Sequence, residues 1–243
     1  SLLEYTRLVT EAGGIAILDD VPEDKVDEYN VFYFAFCSSW QIEVILKYNF
    51  ILFLDSTHNV CYSLEDRGRK AFLYSILVKH DAAGCGIPVA FMNTDSETQR
   101  PIASCLNWLK GKALFPNDPR FMIDCSTTEM AAIRFVFENA QIRLCHWHML
   151  RAMRTQANKK LHICSSAQGD SRKNMRKEVH QQLRISAKQD FLKLMRTNSV
   201  PEFGEVWKNY YRKYLDLNHL DFLEYLDSTW LKHPEKWWFT NRS

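Results

Sequence analysis

Two short apolar runs in this chain each lead into a carboxylate. Phe50-Ile-Leu-Phe-Leu runs into Asp55, and Phe121-Met-Ile runs into Asp124. A continuous apolar run of this length is the pattern of a strand buried on both faces. If the two strands are parallel neighbours, both carboxylates emerge at one sheet edge. Hard anionic oxygens converging there are what a Mg²⁺ or Mn²⁺ site needs. Two such ions, about 3.5–4 Å apart, activate an attacking oxygen and stabilise a leaving one in phosphodiester chemistry. Either aspartate alone could simply cap the turn that follows its strand. The pair on neighbouring predicted strands points to a site.

Other residues could do chemistry, each with a plainer alternative. Cys145 and His148 sit in Cys-His-Trp-His and offer a thiolate and an imidazole for Zn²⁺; His162 and Cys164 could complete four ligands. The alternative is that they lock the end of a strand by packing and a hydrogen bond. Glu97 either approaches the metal site or sits in a helix's first turn, where a carboxylate suits the macrodipole. His58 and Asn59 either contact phosphate or shape the turn after Asp55. The seven cysteines are odd in number and contain no Cys-x-x-Cys pair, so a disulfide framework is not expected, and most should be buried thiols.

The elements that must position the aspartates are legible around them. Strands are predicted over 50–55, 71–79, 87–92, 120–124 and 141–145. A helix opens at Ser96 as N-cap, with Ile102, Leu106 and Leu109 as its apolar stripe. Ser126 caps a second helix, with Glu129 at its third position. The order β-β-β-α-β-α-β implies a mixed five-stranded sheet flanked by helices. Ahead of it, residues 1–49 read as an acidic segment followed by a lead-in strand (VFYFAFCSSW) and a short helix. The core covers 50–154. Residues 155–243 show only helical patterns, and Trp207, Tyr210, Tyr211 and Tyr214 recur at near-helical spacing as a core stripe. Trp230, Trp237 and Trp238 add to this aromatic tail.

Charge is unevenly distributed. The net charge is +2, yet residues 1–30 carry eight acids against two bases, and residues 143–184 carry ten Lys/Arg against two acids. The second block includes Arg151, Arg154, Lys159, Lys160, Arg172, Lys173, Arg176 and Lys177, and it suits the phosphates of double-stranded DNA. A solvated helix face is the alternative. No run approaches the roughly 20 apolar residues of a membrane helix, and the N-terminus lacks the pattern of a secretory signal. A soluble intracellular protein is the expectation.

Three segments together resemble the Mutator-like (MULE) transposases. LDSTHNV at 54–60 is similar to that family's first-aspartate motif. IPVAFMNTDSE at 87–97 is similar to its third strand and the acidic position opening the next helix. FMIDCSTTEMAAIRFVFENAQIRLCHWHMLRAM at 121–153 resembles the block joining the second aspartate to a Cys-x-x-His signature. The resemblance implies an RNase H-like fold with a helical insertion and a DDE triad in which Asp55 and Asp124 are the first two acids. It implies Mg²⁺- or Mn²⁺-dependent DNA cleavage and strand transfer at transposon ends, a nuclear setting, and compatibility with a homo-oligomer. The terminal FTNRS is similar to the segment shortly preceding the family's catalytic Glu, which places a third acid just past Ser243; Glu235 reads as a loop carboxylate. Two other readings stay open: a domesticated, non-catalytic domain that binds DNA or a partner, and a nuclease acting on RNA–DNA hybrids.

Overall fold

The computed structural model describes residues 2–19, 31–62, 70–80, 84–161 and 170–232; within these spans the side chains of 19, 58–62, 70 and 170–177 are not described. The chain divides into two compact units, 1–143 and 144–243.

The first unit is built on a mixed sheet of seven strands, not five. The strands are β1 (Ile15–Asp19), β2 (Tyr33–Cys37), β3 (Leu52–Tyr62), β4 (Lys70–His80), β5 (Cys85–Thr94), β6 (Arg120–Ile123) and β7 (Gln141–Leu144), in the order β1-β2-β5-β4-β3-β6-β7. The five expected strands form the contiguous run β5-β4-β3-β6-β7. The two additional strands pair as an antiparallel hairpin, and β2 joins the edge of β5, with Phe34 opposite Asn93 and Phe36 opposite Phe91. The expected lead-in run is thus an integral strand. Pairing with β1 keeps β2 from presenting a long unpaired apolar edge.

The chain reaches β1 through helix α1 (Leu2–Glu11), which ends at Gly13 with φ +78°. Only a residue without a Cβ takes that left-handed cap without cost. At Gly14 a Cβ would lie 2.7 Å from the Cys37 carbonyl oxygen, so the close approach of this turn to β2 also depends on glycine.

Strands β3, β4 and β5 form an antiparallel meander, and β6 returns parallel to β3. Alternation sends Leu52 and Leu54 of β3 and Phe72, Tyr74, Ile76 and Val78 of β4 into the core. Helix α3 (Gln99–Gly111) lies on that face, and Ile102, Cys105 and Leu106 close against Leu54, Tyr74, Ile76 and Met92. The Ile102–Leu106–Leu109 stripe is essentially solvent-free, as its spacing predicts. The N-cap is Thr98 and not Ser96, whose hydroxyl instead accepts from the Thr98 amide at 3.3 Å. Pro101 needs no amide bond in the first helical turn, which lets the helix begin there. Helix α4 (Thr127–Val136) packs beside α3. Phe115, Phe121 and Phe137 meet edge-on or tilted, with centroids 5.8–6.4 Å apart, and fix the start of β6. Helix α2 (Ser39–Tyr48) anchors on β5 through Gln41, whose side-chain amide donates to the Pro88 carbonyl at 2.9 Å.

After β7 the described residues are helical: α5 (His146–Lys160), α6 (Asp170–Met195), α7 (Val200–Asp216), α8 (Leu220–Leu226) and a π-helical turn at Asp227–Leu231. The aromatic spacing is realised as packing. Tyr210 and Tyr214 are buried one turn apart with ring centroids 5.1 Å apart, and Trp207 meets Tyr210 and Tyr211 edge-on. Tyr210 donates to the Ala187 carbonyl at 3.3 Å, and Lys213 bonds Asp190. These contacts hold α7 on α6. Trp230 is buried against Phe191 and donates its indole N–H to Tyr225 at 3.0 Å, which satisfies the one polar atom it takes into the core. Trp237 and Trp238 lie outside the described residues.

Candidate acidic site at the junction of strands 3 and 6

Asp55 and Asp124 are brought together by strand register. Strands β3 and β6 pair in parallel with Leu52 opposite Phe121 and Phe53 opposite Met122. Two further steps along the same register bring Asp55 level with Asp124, on adjacent strands roughly 4.8 Å apart. Strand β3 continues past Asp55 to Tyr62, so this aspartate stands within its strand and not at its end. Asp124 follows the last residue of β6 directly. Asp55 is exposed and Asp124 is half-buried.

A third carboxylate stands near them. Glu129 is the third residue of α4, and Ser126 caps that helix by accepting from the Glu129 amide at 3.2 Å. The expected capping pattern is therefore present in the backbone. The Glu129 side chain, however, takes another course: it is 1% exposed and hydrogen-bonded with Ser56, the residue next to Asp55. Burial first, and then the charges of Asp124 and Asp55, push its carboxyl from an ordinary 4.5 up to about 8. Glu97 adds a smaller push in the same direction. Tyr74, which pairs with Ser56 across β3 and β4, is also held well above its ordinary value, by burial and then by Glu129, Glu97 and Asp124. Four acids therefore act on one small region of the sheet. Sequence reading missed Glu129 as a site residue. A third-position Glu looks the same in sequence whether it turns back to its cap or inward to the sheet. Its distance of five residues from Asp124 is the one available signal.

Two oxygens in this region test whether a cation suits it. Asp124 Oδ1 and Glu129 Oε2 are buried and have no hydrogen-bond partner. A buried carboxyl oxygen without a hydrogen-bond partner is costly, and a divalent ion is one way to compensate it. Among the described residues, no three His, Cys, Asp or Glu side chains are already gathered round one point. Mg²⁺ is commonly held by one or two carboxylates together with waters and substrate phosphates, so Asp55 and Asp124 suit it in number and kind.

The remaining expected residues fall elsewhere. Cys145 is the N-cap of α5 and His148 lies within its first turn, with the Trp147 ring edge-on to His148 at 4.7 Å. His162 and Cys164 lie outside the described residues, as do Glu235 and the side chains of His58 and Asn59. Arg151, Arg154 and Lys159 are exposed on α5 and Lys160 is half-exposed at its end, while Arg172, Lys173, Arg176 and Lys177 lie on α6 with side chains outside the description. Of the described cysteines, Cys37 and Cys105 are buried, Cys145 is intermediate, and Cys85 and Cys125 are exposed. Burial pushes the Cys37 and Cys105 thiols up to about 12, which keeps them protonated and unreactive at neutral pH. Among the described residues, no helix is long and apolar enough to cross a membrane. No family model matches this chain, and no curated protein matches it.

Proposed function

We propose that this chain is an RNase H-like, DDE-type DNA transposase core of the kind found in Mutator-like elements. It would cleave and transfer DNA strands with the help of Mg²⁺ or Mn²⁺. The observation that carries the reading is the parallel pairing of β3 with β6, whose register, carried two steps on, brings Asp55 level with Asp124 just past the end of β6. The surrounding order supports it: three antiparallel strands, then a crossover through α3 that sets β6 beside β3.

In this reading Asp55 and Asp124 hold the divalent ions, which supply charge stabilisation to the attacking and leaving oxygens of a phosphodiester. The protein's own contribution is positional. Hydrogen bonds of the central strands and the Phe115–Phe121–Phe137 cluster fix the two backbones, which keeps the two aspartates level on neighbouring chain segments. The absence of three acids already gathered round one point, among the described residues, favours a second reading, a non-catalytic DNA-binding descendant of such an enzyme. Nicking of supercoiled plasmid in Mn²⁺ separates them: activity lost in Asp55→Asn supports catalysis, and binding without nicking supports the second reading.

The basic block is assigned to DNA phosphates in both readings. Arg151, Arg154 and Lys159 are exposed within three turns of α5, with Lys160 beside them at its end. Each phosphate neutralised contributes a slope of about −0.9 to the dependence of log affinity on log salt. Changing Arg151, Arg154, Lys159 and Lys160 to Glu should weaken binding to unrelated duplexes alike and flatten that slope. Fluorescence anisotropy across a salt series checks this; an unchanged slope removes the assignment.

A further inference from the structure

We propose that Trp147 is a stacking platform for an unpaired nucleotide of DNA, set with Arg151 and Arg154 on one exposed stripe of α5. The inference rests on the assignment of the basic block to DNA. It adds a contact to a base, which phosphate binding does not require.

The geometry of α5 sets the stripe. Met149, Met153 and Ala157 are the buried residues of this helix, at i, i+4 and i+8, and they fix which side faces the protein. At 3.6 residues per turn, Trp147, Arg151, Arg154 and Asn158 fall within about 60° of one another on a side turned away from that core. All four are exposed. Trp147 is 60% exposed and is the one large apolar side chain of α5 left so. An indole is among the largest apolar groups a chain can bury, yet this one takes no part in holding the helix down. It is oriented all the same. The Arg151 guanidinium lies over its ring, 5.3 Å from the centroid and within cation–π range, and His148 meets the ring edge-on at 4.7 Å.

An apolar partner surface suits this stripe poorly. Helix α5 contains no acid, and the indole's neighbours along the stripe are two arginines and an asparagine. A hydrophobic partner would strip water from both cations without pairing them. A polyanion with flat apolar faces suits both parts: a nucleobase stacks on the indole while neighbouring phosphates meet Arg151 and Arg154. Inside a duplex each base face is covered by the next pair, which leaves base edges and phosphates within reach of protein. The indole face is therefore of use to a base outside the stack, as in a single-stranded extension. Every base has a π face, so the site discriminates by strand state and not by sequence.

The test is fluorescence anisotropy of the whole chain with two labelled duplexes. One carries a short thymidine extension, and the other carries an abasic extension of the same length. Their phosphates are equal in number, so only the bases differ. Wild type should bind the thymidine probe about tenfold more tightly than the abasic one, a ratio in the range of one base stacked on an aromatic ring. Trp147→Ala should abolish that difference, bind the abasic probe as wild type does, and melt at the wild-type temperature. Trp147→Phe keeps a smaller ring and should retain part of the difference. The wild-type comparison of the two probes needs no substitution and stands should a variant not fold. Equal wild-type affinity for both probes overturns the inference, as does a Trp147→Ala protein that keeps the difference or weakens on both probes alike. Salt-dependent binding of the duplex would still leave the basic-block assignment standing in those cases. Wild-type protein that binds neither probe removes that assignment and this inference with it.

Discussion

Asp124→Asn is expected to lower Mn²⁺-dependent cleavage of DNA by about three orders of magnitude or more. Asparagine fills the same space as aspartate and can keep the local backbone, so the change is one of charge. The half-buried carboxylate is lost beside Asp55, in a region where burial weakens solvent screening. A divalent ion held less firmly, or displaced by an ångström, contributes less to the charge developing on the leaving oxygen. Stabilisation of that kind amounts to several kcal/mol, and each 1.36 kcal/mol or so is tenfold in rate. Asp55→Asn should be equally severe, and the double variant should be little worse than either single one, because the two act as a unit. Single-turnover nicking rates across a Mn²⁺ series check this. Full rescue by excess Mn²⁺ would show that the side chain only sets affinity.

Metal-free protein should lose stability as pH rises from about 4.5 to about 8. Glu129 keeps its proton in the folded state up to about pH 8, whereas in the unfolded chain it gives the proton up near 4.5. Between these values the folded state binds more protons than the unfolded one, so unfolding becomes easier with each step upward in pH. The stability tied to this proton is fully present below pH 4.5 and gone above pH 8. Over the whole window the effect is on the order of several kcal/mol, since one pKa unit corresponds to about 1.4 kcal/mol. Glu129→Gln cannot ionise and should flatten that part of the profile, so that the variant is the more stable protein at pH 8. Urea unfolding of both proteins from pH 4 to 9 in chelator measures the difference; parallel profiles would mean that Glu129 is ionised in the folded state throughout.

The central strands and the aspartate pair were legible because both depend on short-range pattern. Phe50 to Asp55 and Phe121 to Asp124 are apolar runs that stop at a charge, and runs of that kind have few places to go except the middle of a sheet. The stripe of α3 and the cap of α4 were legible for the same reason. Strand β1 was not. Its residues lie next to a strongly acidic stretch, and its partner β2 is 18 positions away, so nothing local distinguishes it from an acidic edge segment. Helix α1 has no fully buried residue: Leu3 and Leu8 stay exposed, and Tyr5 touches Phe34 and Phe36 only by its edge. Its apolar residues recur at helical spacing all the same, so the periodicity was there to be read. Glu129 escaped for a different reason. Its backbone obeys the capping rule, and its side chain departs from it because a long-range partner, Ser56, lies on a strand 73 positions earlier.

The most direct test of a cation site at Asp55 and Asp124 is an anomalous difference map from Mn²⁺-soaked crystals of this chain. A peak is expected within about 2.2 Å of a carboxylate oxygen of each aspartate, a distance typical of hard cations. Mn²⁺ density elsewhere in the protein with none at this pair, at concentrations that support nicking, would contradict it.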